Sequence, residues 1–139
     1  MENALKESRG KVLLVDDDEA LLKLGKAQLE QAGFQVCACQ SGWQALAELA
    51  SFTPDIALID IMMPGMDGWQ LCQRLKAGLH TAEIPIFFIT CRGEEADLER
   101  HRRAGADGYF IKPFTAELLT QEILATLQRC MRKHQYWRN

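Results

Sequence analysis

Short apolar runs that end in acidic or polar residues alternate along the chain with stretches of helical periodicity, and this alternation restricts the fold more than any other feature. Lys11-Val-Leu-Leu-Val15 runs directly into Asp16-Asp17-Asp18-Glu19. Phe34 to Ala38 alternates as a second strand. The stretch Asp55–Gly68, DIALIDIMMPGMDG, carries a third run, bounded by Pro54 and Pro64, with Asp60 at its end. Too short for a comfortable helix and apolar along its length, it reads as a strand buried on both faces. Ile84-Pro-Ile-Phe-Phe-Ile89 ends in Thr90, its proline tolerable at a strand start because the first residue need not donate to the ladder. Asp107 to Ile111 is the fifth run, followed by Lys112.

Between these runs lie the helices. From Ala20 to Ala32 the residues Leu21, Leu22, Leu24, Leu29 and Ala32 recur at helical spacing, and Gly33 is placed to close the helix. Ser41 is an N-cap for a helix through Ala50, with Leu46, Leu49 and Trp43 facing inward. Asp67 caps a third helix through about Lys76, with Trp69, Leu71, Cys72 and Leu75 as its apolar positions. Gly93 to Ala104 reads as a charged helix stopped by Gly105. Thr115 caps a last helix containing Leu118, Leu119, Ile123, Leu127 and Met131. Five strands alternating with five helices imply an α/β fold, a parallel sheet covered on both faces.

The 139 residues suffice for one domain, with a polar tail at 1–9, the folded body at 10–130 and a basic tail or truncated linker at 131–139. A formal net charge of -3 points to neither a nucleic-acid nor a membrane partner. The apolar runs are far too short to span a bilayer and MENALKESRG has no signal-peptide core, so a cytoplasmic location is expected. Cys37, Cys39, Cys72, Cys91 and Cys130 are odd in number and contain no C-x-x-C. Neither a disulfide framework nor a zinc site is indicated. Cys37 and Cys39 project from one face of a strand and read as reduced thiols acting as small hydrophobes.

The chemistry concentrates at the C-terminal ends of the strands. Asp16 and Asp17 follow the first, Asp60 ends the third, Thr90 the fourth, and Lys112 follows the fifth. A parallel sheet places those ends along one edge, so these groups converge. Crowded carboxylates repel and raise one another's pKa. A divalent cation relieves that conflict, and hard oxygen ligands suit Mg2+, with Mn2+ as a substitute. Such a site fits phosphoryl transfer onto a carboxylate: Asp60 as nucleophile, with the cation, Lys112 and Thr90 spreading the charge on the transferred oxygens. Neither G-x-x-x-x-G-K-[ST] nor G-x-G-x-x-G is present, which points to a phosphorylated partner or small phosphoester as donor, not ATP.

VDDDE at 15–19, LIDIMMPGMDG at 58–68, IT at 89–90 and GADGYFIKPF at 105–114 occur in the order and at the spacing of a known family. Over about Lys11 to Arg129 the chain resembles the receiver domain of two-component response regulators. The resemblance implies a flavodoxin-like (βα)5 sheet in the order 2-1-3-4-5. It makes Asp60 the phosphoacceptor, with Asp16, Asp17, Asp60 and the backbone carbonyl of Met62 holding Mg2+. Thr90 and Lys112 then contact the phosphoryl group, Thr90 and Tyr109 form the switch, and Lys112-Pro113 is a cis peptide, which proline permits.

By the same resemblance the phosphate comes from a histidine kinase or histidine phosphotransfer protein. The switch acts on a downstream protein through the face of the fourth helix, fifth strand and fifth helix, and the chain catalyses only its own phosphorylation and dephosphorylation. Departures from the family pattern are Cys91, where Ala, Gly or Ser is usual, and Met62 and Arg92 at the variable positions that tune phosphate lifetime. Met62 has no side-chain group to orient a water, so fast self-hydrolysis is not expected. The stretch from Thr90 to Phe114 looks most like receivers of winged-helix regulators. Those dimerise through charged pairs, for which Leu98, Gly108 and Glu122 here stand in place of Arg, Asp and Arg. A monomer or a weak phosphorylation-dependent dimer follows, either complete or excised from a longer DNA-binding regulator or hybrid kinase.

Two other readings remain. A phosphohydrolase of the haloacid dehalogenase type needs a second Asp two residues after the nucleophile, where this chain has Met62. A scaffold indifferent to phosphate has no use for an intact Asp16, Asp17, Asp60, Thr90 and Lys112. Arg100, His101, Arg102 and Arg103 read as a solvated helix end that complements the helix dipole, with partner docking as the rival. Arg129, Arg132, Lys133, His134 and Arg138 make the C-terminus basic, as a frayed helix end or the start of a linker.

Overall fold

The computed structural model describes residues 8–91, 98–112 and 114–138, with side chains described except at 98 and 131–138. In chain order the elements are β1 (Lys11–Val15), α1 (Glu19–Gln31), β2 (Gln35–Cys39), α2 (Gly42–Glu48), β3 (Ile56–Asp60), α3 (Gly68–Ala77), β4 (Ile86–Cys91), α4 (Leu98–Ala104), β5 (Gly108–Lys112) and α5 (Ala116–Arg138). All the strand pairs are parallel, in the order β2-β1-β3-β4-β5. This is the parallel sheet expected from the alternation, in the flavodoxin-like order that the resemblance implies. The order reverses between β1 and β3, which opens a crevice at the carboxyl ends of those strands. Among the described residues no helix is long and apolar enough to cross a membrane.

The sheet divides two apolar layers according to strand parity. Leu13, Val15, Ala57, Ile59, Ile86 and Phe88 pack with Ala45 of α2, Trp69, Cys72 and Leu75 of α3, and Ala104 of α4. Val12, Leu14, Ile56, Leu58, Phe87, Ile89 and Phe110 pack on the other face with Leu22 and Leu29 of α1 and Leu119 and Ile123 of α5. Every residue of β3 is buried, as a strand flanked on both sides and covered on both faces requires.

Polar side chains set the helix starts. The Asp18 carboxylate accepts from the backbone N–H of Ala20 and Leu21, and Ser41 Oγ accepts from Gln44 N. Asp67 and Gln70 form a reciprocal capping box, while Thr115 Oγ1 accepts from Leu118 N. Gly33, at φ +104°, takes the left-handed turn that ends α1.

Several boundaries differ from the sequence reading for identifiable reasons. Phe34 lies outside β2 because its N–H donates to Leu29 O and closes the helix end. β4 begins after Pro85, which has no N–H for the ladder. Asp107 lies outside β5, where its carboxylate accepts from Ile86 N and faces Lys76 Nζ at 3.7 Å. Trp43, expected to face inward, is 59% exposed and lies under the Arg74 guanidinium, 4.9 Å from its ring centroid. On a helix of 7 residues, Gly42 and Ala45 make the buried contact instead. The expected helix start at Gly93, and Arg92 and Pro113, lie outside the described residues, as do the side chains of Leu98, Arg132, Lys133, His134 and Arg138.

Candidate functional site

Parity carries the key side chains to the sheet edge. Asp60 continues the stripe of Ile56 and Leu58, Asp16 that of Val12 and Leu14, and Lys112 that of Phe110. All three therefore emerge on the α1–α5 side. Thr90 continues the stripe of Ile86 and Phe88 and emerges on the α3–α4 side. In register, Asp60 lies beside Ile89, so Thr90 is one residue beyond it on the neighbouring strand.

Asp16, Asp17 and Asp60 each offer a carboxylate oxygen within 4.8 Å of the others. Lys112 Nζ lies 3.4 Å from Asp16 Oδ2 and 3.7 Å from Asp60 Oδ1. Asp16 is held from two directions: its N–H donates to Cys39 O at 3.0 Å, and its Oδ1 accepts from Asp18 N at 3.0 Å. Asp16 and Asp60 are buried and Asp17 is exposed. The loop after Asp60 is clamped by Gly68, whose N–H donates to Ile61 O at 2.8 Å. A Cβ at Gly68 would stand 2.6 Å from Asp60 O, so glycine is needed for α3 to begin this close to the site.

The electrostatics follow from that crowding. Burial pushes the Asp60 carboxyl up from 3.8 to about 7; Lys112 opposes the rise, and Asp16 and Asp17 add to it. For Lys112, burial works against the charge, but Asp60 and Asp16 outweigh it and hold the ammonium above its ordinary value. Among the described residues, three carboxylates stand against one ammonium, which leaves the cluster short of positive charge. The donors among the described residues are hard oxygens with no sulfur or imidazole, which matches Mg2+ or Mn2+ better than zinc.

The sequence-derived residues divide into two groups. Asp16, Asp17, Asp60 and Lys112 are brought together. Thr90 is buried at the adjacent strand end. Met62 lies in the loop two residues past Asp60, with its side chain 63% exposed. Tyr109 is the second residue of β5, 38% exposed. Beside the cluster a groove of about 440 Å³ opens between α1 and α5. Asp16 and Lys112 line it together with Leu21 and Leu24, which are both exposed.

One reading is corrected. The basic run at 100–103 is not a uniformly solvated helix end. His101 is 3% exposed and accepts at Nδ1 from the Trp69 indole N–H at 3.0 Å. The Arg100 guanidinium lies over the Trp69 ring, 3.7 Å from its centroid. The signal for this was the three-residue interval between His101 and Ala104, which puts both on one helix face. Cys37 and Cys39 are free thiols, as expected, the first half-buried and the second buried. Their sulfurs are 3.9 Å apart, and burial raises both, Cys39 to about 12.

Residues 12–124 match the family model of the response regulator receiver domain. The phosphate regulon transcriptional regulatory protein PhoB of Rhizobium meliloti is 39% identical over 131 residues, covering 86% of this chain and 58% of that protein. The signal receiver domain of a signal transduction histidine kinase from Syntrophus aciditrophicus superposes with a TM-score of 0.78 at 30% identity, covering 86% of this chain and 90% of that one. A CheY-like response regulator receiver domain protein from Methanospirillum hungatei superposes with a TM-score of 0.81 at 27% identity, covering 88% and 97%. The chain spans about half the length of the curated relatives it matches.

Proposed function

Because the chain belongs to the response regulator receiver domain family, we propose that Asp60 is its phosphoacceptor and that the acyl phosphate formed there controls a protein-binding face. The observation that supports this most strongly is the meeting of Asp16, Asp17, Asp60 and Lys112 at the ends of three strands. A carboxylate raised to about 7 is half protonated at neutral pH and a poor nucleophile until positive charge reaches it. Asp16, Asp17, Asp60 and the Met62 carbonyl would hold Mg2+. When bound, the ion supplies the charge that ionises Asp60 and neutralises the phosphoryl oxygens.

A carboxylate oxygen of Asp60 attacks the phosphorus of a phosphoimidazole as the phosphorus–nitrogen bond breaks, and the electron pair leaves with the imidazole, which is then protonated. Lys112, already directed at Asp60 Oδ1, follows the transferred oxygens as a point charge. The donor is a histidine kinase or histidine phosphotransfer protein. It must cover the strand ends to reach Asp60, and Leu21 and Leu24 on the adjoining groove give it apolar surface to bury.

Thr90 then turns toward the phosphoryl group. Tyr109 follows inward, changing the face formed by α4, β5 and α5, where a downstream protein docks. The protein acts in the cytoplasm as a monomer or weak dimer and turns over no substrate except its own phosphate. Incubation with acetyl phosphate and Mg2+ should add one hydroxylamine-labile phosphoryl group to the wild-type chain and none to Asp60→Asn, read by intact-mass spectrometry. Modification of the Asp60→Asn chain at the same rate would refute the assignment.

A further inference from the structure

His101 takes no part in the phosphoryl chemistry, yet its ring is held from three sides. Arg100, Arg102 and Arg103 around it on α4 are exposed, while His101 itself points into the α3–α4 layer. The Trp69 indole N–H donates to its Nδ1, and the two rings stack with centroids 5.9 Å apart. Phe88 of β4 meets it edge-on at 5.1 Å. Tyr109 of β5 lies 6.0 Å away, tilted by 49°.

A Leu or Phe would fill this volume without a polar atom to satisfy. A hydrogen bond between buried side chains adds direction, which fixes where the imidazole stands. Trp69 is fixed in turn under Arg100. What the fixed ring adjoins is the switch aromatic. Phe88 and Tyr109 are register partners on neighbouring strands, and Thr90 shares their face of the sheet. His101 is buried and Tyr109 is more than a third exposed, so the imidazole lies on the interior side of the tyrosine. A cleft of about 320 Å³ adjoins the pair, lined by His101, Arg102, Ala106, Asp107, Gly108 and Tyr109.

We propose that His101 is a positioning residue for the switch: bonded to Trp69, it acts as a stop on the inner side of Tyr109 and makes the outward ring the resting state. The proposal rests on the reading of Tyr109 as the aromatic that follows phosphorylation of Asp60. Its consequence is reciprocal, since whatever holds Tyr109 outward weakens phosphoryl-mimic binding at Asp60 by the same factor.

The test is a double-mutant cycle on beryllofluoride affinity in the presence of Mg2+, followed by NMR. His101→Ala should bind the mimic about tenfold more tightly than wild type, within the range usual for coupled sites. In a Tyr109→Ala background the same substitution should change affinity by less than about twofold. Cys72→Ala removes another α3–α4 contact, the bond from Cys72 Sγ to Ala104 O, without touching Tyr109, and should leave affinity as it was. Unchanged or weaker binding by His101→Ala, an equal gain in the Tyr109→Ala background, or an equal gain from Cys72→Ala would each overturn the proposal. If His101→Ala does not fold, His101→Asn, which keeps a small acceptor for Trp69 but removes the ring, takes its place in the cycle. If wild-type protein takes up no beryllofluoride, it is the phosphoacceptor reading that fails. The stop is then judged without ligand, by the nuclear Overhauser contact between the Tyr109 ring and the Thr90 methyl. A stronger contact in the His101 variant supports the stop, and an unchanged one overturns it.

Discussion

Replacing Asp60 with Asn should stabilise the protein, and by an amount that depends on pH in one direction only. The folded carboxyl sits at about 7, against 3.8 for an ordinary aspartate. A folded-state pKa above the unfolded value means that the folded chain binds the proton more tightly. The stability this contributes is complete below about pH 4 and is lost as the pH rises through about 7. The displacement of about three units corresponds to a penalty on the ionised form of roughly 4 kcal/mol, and relaxation of the coupled Asp16, Asp17 and Lys112 charges brings the expected figure to about 2–4 kcal/mol.

Asn is isosteric with the protonated acid and carries none of that penalty. The stability difference between Asp60→Asn and wild type should therefore be near zero at pH 4, climb between pH 4 and 7, and level off above it. Urea unfolding of both proteins at half-unit pH intervals, with a chelator to remove divalent cations, gives the curve directly, and changes common to both chains cancel in the difference. Adding Mg2+ at pH 8 should close much of the gap by stabilising the wild type alone. A difference that is flat with pH, or that favours the wild type at pH 8, would refute the reasoning.

Other outcomes follow from the same geometry. Asp16→Asn removes a buried oxygen donor and the nearest charge to Lys112, so divalent-cation affinity measured by calorimetry should fall at least about tenfold. Gly68→Ala places a methyl group 2.6 Å from Asp60 O and 2.7 Å from Ile61 Cα, and should cost about 3 kcal/mol in urea unfolding because both neighbours are backbone. Asp67→Ala breaks the capping box of α3 and should cost about 1 kcal/mol by the same measurement while leaving phosphorylation by acetyl phosphate in place.

The parallel α/β fold was legible because short apolar runs alternate with helical stretches, and Asp16, Asp60, Thr90 and Lys112 fall at the C-terminal ends of four strands that such a sheet brings to one edge; the strand order came with the resemblance. Asp16, Asp17, Asp60, Thr90 and Lys112 could be grouped from sequence since each stands at the C-terminal end of a strand run; which face each takes became visible only with the register. What sequence periodicity could not supply was the distance between helices. Leu21 and Leu24 have the spacing of core residues, yet the opening between α1 and α5 leaves both exposed. Trp43 has the side chain of a core residue but lies in the first turn of a helix of 7 residues and meets Arg74 instead. His101 was hidden by its neighbours in sequence. Flanked by arginines it resembles one more surface cation, and only the tertiary approach of Trp69, 32 residues earlier, turns it inward.

The division of the strand ends between the two faces has a consequence for which sequences such a chain can tolerate. Asp60 and Lys112 open toward one layer and Thr90 toward the other, and each residue's side is set by whether an odd or even number of residues separates it from the strand start. One residue inserted within β4 would send Thr90 to the wrong layer while leaving the strand as apolar as before. Insertions and deletions in these strands therefore obey an even-number rule that hydrophobicity alone would not reveal. A chain that breaks it would fold around the same core with its threonine facing away from Tyr109.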